Sequence, residues 1–240
     1  MSKKITLEDI KNNDEIKSLI ETSNANLKEM GYTEHGLRHV GYVSKTTANI
    51  LKTVGFDART VELGAIAGWI HDIGNAINRT NHGLTGAVLA YGILERMGMA
   101  PAEAAQIIAA IGNHEEQNGV PVNALAAALI LADKSDAHRS RVRKESADRN
   151  DIHDRVNLAI RKNYLAVDNA KKTMRLVIQM DSSSATMEYL QIYLSRMVLC
   201  EKAAAYLGYW FELIINGNNI NRRKPATFKP NEGETEVSEE

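Results

Sequence analysis

Cysteine is all but missing: Cys200 is the only one. No disulfide can form within the chain, and nothing points to an oxidising compartment. An excess of either charge is missing too. Lysine and arginine total 29 against 30 aspartates and glutamates, a net charge of −1, so no global field recruits nucleic acid or an anionic membrane. No apolar run approaches the ~18 residues of a membrane span, and the first residues hold no apolar signal core. Internal repeats are absent. These absences leave a cytoplasmic protein as the expectation. With 240 residues, 44% of them hydrophobic and 25% charged, the composition is that of an ordinary globular chain able to bury a sizeable core.

Apolar spacing is helical over the first ~145 residues. Thr6 followed by Asp9 predicts an N-cap, with Ile16, Ile20, Leu27 and Met30 on one side of a helix that Gly31 ends. A second helix has the inner face His39, Val43, Thr46 or Thr47, Ile50 and Val54 before Gly55, and a third spans about 58–72. After a polar loop, His82 opens a helix running to Gly98, and Pro101 begins one that reaches Gly112, directly before His114. Pro121 suits the start of a helix carrying Leu125, Leu129, Asp133 and Asp136, which then turns basic through Lys134, Arg139, Arg141, Arg143 and Lys144. Beyond the charged stretch 148–151 the period becomes two: Val156, Leu158, Ile160, then Met174, Leu176, Ile178, Met180. Ser182 to Ser184 can cap a long helix, and Tyr209, Phe211, Leu213 and Ile215 alternate again. The expected class is mainly α: a helical bundle at 1–147, a small α+β (ββαβ) unit at 148–222, and a disordered acidic tail at 223–240.

Within this frame Trp69-Ile70-His71-Asp72-Ile73-Gly74 closes an apolar helix with an adjacent imidazole and carboxylate. Taken singly, each histidine reads as a hydrogen-bonded core residue. Taken together they do not, because His39, His71-Asp72, His82, His114 and Asp133 all fall at helix ends or inner faces. Four histidines and two aspartates suit two divalent ions, Mn²⁺ or Fe²⁺ ahead of Zn²⁺ or Mg²⁺. His39, His71 and Asp133 would hold one ion, His82 and His114 the other, with Asp72 bridging. Lys134, beside Asp133, and Arg38, beside His39, are the nearest cations for a phosphate. Asp136 either orients an outer-shell histidine or substrate hydroxyl, or pairs plainly with Arg139 or Ser140. Arg139 and Arg141 either extend the phosphate path or form a solvated face, and without interleaved aromatics they make a weak case for nucleic acid.

His71-Asp72-Ile73-Gly74 resembles the HDIG form of the HD-domain superfamily, whose members are mostly metal-dependent phosphohydrolases with a helical fold. His39 before Val43 looks like that family's first histidine, and Ala132-Asp133 like its last aspartate. The segments starting at His82 and around His114 resemble those of its dinuclear branch, which includes the HD-GYP phosphodiesterases and bacterial dinucleoside tetraphosphate hydrolases. The resemblance covers about residues 33–143. It departs from the HD-GYP pattern at Asn113, where that group has another histidine, and at Gly119-Val120-Pro121, which replaces its signature tripeptide. The family's register selects His39 as the ligand over His35, which is then a general acid to a leaving oxygen or a helix cap.

The resemblance implies a metal-dependent phosphohydrolase acting on a phosphomonoester or phosphodiester, and a nucleotide is the expected substrate; the residues expected in catalysis are Asp72, Lys134 for its place beside Asp133, and His35 as the general-acid candidate. Two other readings stand beside it: a diiron oxygenase of the same fold, and a metal-stabilised regulatory or binding protein. An exposed edge strand in the C-terminal unit makes a homodimer an expectation.

Overall fold

A computed structural model describes residues 4–221 except 144, 146 and 149; the expected tail at 223–240 and Lys144 lie outside them. Helices α1 (Leu7–Asn12) and α2 (Asp14–Glu29) occupy the stretch expected as one helix. The break is at Asn13, whose extended backbone ends α1 and whose side chain accepts from Ile16 N–H at 3.0 Å, capping α2. Thr6 and Asp9 form the expected capping box. Helix α3 (Leu37–Val54) ends at Gly55, which takes a left-handed φ of 109°. Helix α4 (Ala58–Ile70) starts at Asp57, whose carboxylate accepts from the Arg59 and Thr60 amides. A 3-10 turn (Ile73–Ala76), α5 (His82–Arg96) and α6 (Pro101–Gly112) follow.

Helix α7 (Ala124–Lys134) lies at the centre, with every residue from Leu125 to Ala132 buried. A helix apolar on all sides needs neighbours all round, and α7 touches α3, α4, α6 and α9 (Thr186–Tyr206). It begins at Asn123, whose side chain accepts from Ala126 N–H at 2.7 Å, two residues later than the Pro121 start expected. Nor does it continue into the basic run. The backbone leaves the helix after Lys134 because Asp136 is drawn to Arg38 and His39 instead, and Arg139–Arg141 form a separate 3-10 turn.

The expected class holds: a mainly helical protein with a small C-terminal α+β unit. One part differs. Ile152–Ala159 is a helix, α8, capped by Asp151, where the spacing of Val156, Leu158 and Ile160 suggested a strand. Val156 and Ala159 are buried from a helical turn, and in so short a run the two periods share their apolar positions. Strands β1 (Ile160–Asp168) and β2 (Thr173–Met180) pair antiparallel, and β3 (Trp210–Ile215) adds parallel to β2 after the α9 crossover. β4 (Asn218–Asn219) closes a hairpin over Asn216-Gly217, both at positive φ as such a turn requires. Sheet order is β1-β2-β3-β4, so β1 is an edge. Ser182 to Ser184 do not cap α9. Glu188 accepts from Ala185 N–H at 3.0 Å and from the Ser184 hydroxyl at 2.7 Å. Buried apolar residues form one cluster from Ile5 to Ile215. No described helix is long and apolar enough to cross a membrane.

The α3–α4 contact depends on glycine. A Cβ at Gly68 would stand 2.7 Å from Ser44 Cα and 2.9 Å from Ser44 N, both backbone atoms that cannot swing aside. At Gly41 the nearest atom, Trp69 Cζ3, is 3.7 Å away. Gly68→Ala should therefore destabilise by about 1–3 kcal/mol through overpacking. Gly41→Ala should be neutral or stabilising by up to about 1 kcal/mol through helix propensity. Urea unfolding of the two variants checks this, and equal midpoints would contradict it.

Candidate metal centre

Four histidines meet where five helices end. His39 lies in the first turn of α3, His71 and Asp72 follow α4, His82 opens α5, His114 follows α6, and Asp133 is in the last turn of α7. The glycine of the His-Asp-Ile-Gly stretch has a steric reason. A Cβ at Gly74 would overlap the His82 carbonyl oxygen and stand 2.6 Å from Gly86 N. Only glycine lets the 3-10 turn after Asp72 lie directly on the first turn of α5.

Each imidazole is turned the same way. His71 Nδ1 donates to Gly68 O at 2.9 Å, His114 Nδ1 to Ile111 O at 2.6 Å, and His82 Nδ1 to Arg79 O at 3.0 Å beside the Glu115 carboxylate. His39 Nδ1 donates to Asp136 Oδ2 at 2.7 Å. A carbonyl or carboxylate can only accept, so each bond fixes a proton on Nδ1 and turns Nε2 inward, where the neutral ring offers a lone pair. Neighbouring rings step across the site with centroids 5.2, 5.1 and 4.9 Å apart, from His39 to His71, His114 and His82.

The inward atoms have too few protons among them. Nε2 of His39 and of His71 are buried without a hydrogen-bond partner. Nε2 of His82 and of His114 face each other at 3.1 Å. Asp72 lies among all four, its Oδ1 3.2 Å from His82 Nε2 and 3.8 Å from His114 Nε2, its Oδ2 3.4 Å from His71 Nε2 and 3.6 Å from His39 Nε2. Asp133 Oδ1 stands 3.3 Å from His39 Nε2 and 3.7 Å from His71 Nε2. An unpartnered buried polar atom costs about 1–3 kcal/mol. Converging imidazole lone pairs and carboxylates therefore fit divalent cations, which supply the missing positive charge. Three groups of side chains in the cluster have ligand atoms close enough to share an ion: His39-His71-Asp72, His71-His114-Asp133 and Asp72-His82-His114.

Titration follows the same electrostatics. Burial pushes the Asp72 carboxyl up, but His71, His82 and His35 outweigh it and hold it well below the usual range. Burial likewise opposes, and Lys134, His39 and His71 outweigh it, at Asp133. Burial and the neighbouring His82, His71 and Lys134 push His114 down to about 3. At His82 burial works against the charge, yet Asp72 and Glu115 raise it to about 9.

The remaining sequence candidates separate. Asp136 is bidentate with Arg38, at 3.3 and 2.7 Å, while orienting His39, so it belongs behind the cluster. Arg38 also reaches Glu34 at 2.9 Å. Lys134 is buried between Asp133 Oδ2 at 2.7 Å and Glu116 Oε2 at 2.9 Å. His35 stacks edge-on against His39 and donates Nδ1 to Thr33 O at 2.7 Å; burial and Arg141 hold its pKa well below the usual value. Arg141 is buried and committed to the Asp136 and Glu34 carbonyls. Arg139 is not brought to the cluster: it donates to Leu158 O and lines another cleft with Arg155 and Arg161.

Sequence reasoning missed four neighbours. Glu115 and Glu116 stand directly after His114, and adjacency was the only signal. Arg79 reaches to 3.4 Å from His82 Nε2 while lying over the Tyr32 ring. Arg196, from α9, donates to Glu116 at 3.1 Å, and nothing local in the sequence announces it.

No family model matches the chain, and no curated protein matches it. Eight chains of solved structures match. Among them is a predicted HD superfamily hydrolase from an uncultured Thermotogales bacterium, 24% identical over 52% of this chain and 67% of that one, with a TM-score of 0.42. So partial an overlap assigns nothing, and the functional reading rests on the side chains.

Linkage gives the metal-free protein a testable pH dependence. The folded His82 pKa of about 9 lies above the ordinary 6.5. The stabilisation His82 contributes is therefore complete below pH 6.5 and lost as pH rises through about 9. Urea midpoints of chelator-treated protein should fall across that window, and the His82→Gln variant should lack this part of the fall. Identical profiles would contradict the assignment.

Proposed function

We propose that this chain is a metal-dependent phosphohydrolase with a dinuclear His/Asp centre, cleaving a phosphomonoester or phosphodiester of a nucleotide, as the HDIG-like stretch implies. The observation carrying this reading is the division of Asp72, one carboxylate oxygen towards His82 and His114 and the other towards His71 and His39. A carboxylate so divided suits a bridge between two ions. His39, His71 and Asp133 would hold one ion, His82 and His114 the other.

Two divalent ions held there would lower the pKa of a water towards neutrality and offset the charge of a phosphoryl group. The protein's own groups prepare the rest. Asp136, fixed by Arg38, keeps the His39 proton on Nδ1. Lys134 holds Asp133 Oδ2 and leaves Oδ1 facing His39 and His71. Arg79, near His82, places positive charge beside the site where an anionic ester would lie. His35 lies edge-on to His39, and in this reading it passes a proton to the leaving oxygen.

Metal analysis of protein reconstituted with Mn²⁺ or Fe²⁺, together with phosphate release from a nucleotide panel and oxygen uptake, tests the proposal. Two metals per chain and phosphate release without oxygen uptake are expected. Less than one metal per chain would sink the dinuclear centre, and oxygen uptake without phosphate release would sink the hydrolase. Asp72→Ala should lose both metal and turnover. Lys134→Met, which keeps all six donors, should retain metal and lose at least about tenfold in turnover, an electrostatic contribution of ordinary size. Loss of metal in the Lys134 variant would contradict its role.

A further inference from the structure

The cluster is closed on most sides. Side-chain exposure is 0–5% for His39, His71, Asp72, His82 and His114, but 13% for Asp133. The site therefore opens at Asp133, at the end of α7. On that side lies a row of charges that the residues of the cluster do not explain. Lys134 bonds Glu116 Oε2 at 2.9 Å, and Glu116 Oε1 accepts from Arg196 Nε at 3.1 Å. One carboxylate is thus shared between two cations from different parts of the chain.

Arg196 is held rigidly and left half used. Its guanidinium lies 4.9 Å over the Tyr193 ring, and the Tyr193 hydroxyl is tied to Asn157 at 2.9 Å. Glu116 takes only Nε. Among the described residues neither terminal nitrogen of Arg196 has a hydrogen-bond partner, and the side chain is 28% exposed. An immobilised guanidinium with both terminal nitrogens open is pre-organised for a planar anion edge. Lys134 is only 6% exposed and is taken up by Asp133 Oδ2 and Glu116 Oε2, so the open donors on this side of the site are those of the Arg196 fork.

We propose that α9 supplies the site with a substrate anchor, Arg196, and that the substrate carries a second phosphate group beyond the one seated at the His/Asp cluster. This rests on the cluster receiving a phosphoryl group, as proposed above. It also gives the C-terminal unit a part in binding, since β3 packs on α9 and α9 brings Arg196 to Glu116, which bonds Lys134 at the end of α7.

Calorimetric titration of the full chain in Mn²⁺ buffer with propyl phosphate and with propanediol bisphosphate tests the anchor, since the two probes differ only in the second phosphate. The wild-type protein should bind the bisphosphate at least about tenfold more tightly, the scale of one charge-assisted fork. Arg196→Gln should erase that preference and leave propyl phosphate affinity and metal content unchanged. Arg196→Lys, which keeps the charge and loses the fork, should retain part of it and serves if the glutamine variant does not fold. A preference that survives both substitutions, an equal loss for both probes, or wild-type binding of propyl phosphate without preference overturns the anchor. An Arg196-dependent preference in a protein that releases phosphate from no ester overturns the hydrolase and leaves the anchor standing. Binding of neither probe overturns both.

Discussion

The whole arrangement depends on one carboxylate. Asp72 is buried among four imidazoles whose second nitrogens all point at it, and each imidazole is locked by a bond from Nδ1 to a fixed acceptor. A buried anion facing lone pairs is unfavourable without positive charge among them. That constraint explains why the helices end where they do. Gly74 brings the turn after Asp72 onto α5, Gly68 lets α4 lie on the α3 backbone, and the all-apolar α7 is placed so that only its last turn reaches the cluster.

Support behind the cluster is uneven. His39 leans on Asp136, which is fixed by Arg38 and has burial offset by Arg141, His39 and Arg38 until its pKa lies far below the carboxylate range. His82 has Glu115 beside it, whereas His71 and His114 rest on main-chain carbonyls of their own helices. A charged acceptor strengthens the basicity of the imidazole it holds more than a carbonyl does. Each half of the cluster thus combines one imidazole backed by a carboxylate, His39 or His82, with one backed by a carbonyl, His71 or His114.

Much of this was legible in the sequence because it is local. His71-Asp72 at the end of an apolar helix, His82 opening the next and His114 closing another are positions that spacing alone fixes, and the six side chains do converge. The β2, α9 and β3 elements were legible from alternation and length. What escaped was decided by tertiary contacts. Asn13 breaks the first helix by capping the second, and α8 forms where two periods fit the same apolar residues. α7 stops after Lys134 because Asp136 is bound elsewhere. Arg196 is the clearest case: 80 residues separate it from Glu116, and no pattern in either segment announces their contact.

Anomalous diffraction from crystals grown with Mn²⁺ tests the central claim most directly. Two peaks are expected, one among His39, His71 and Asp133 and one among His82 and His114, both in contact with Asp72. A single peak, or a second one that leaves Asp72 untouched, would contradict the bridging role of that carboxylate.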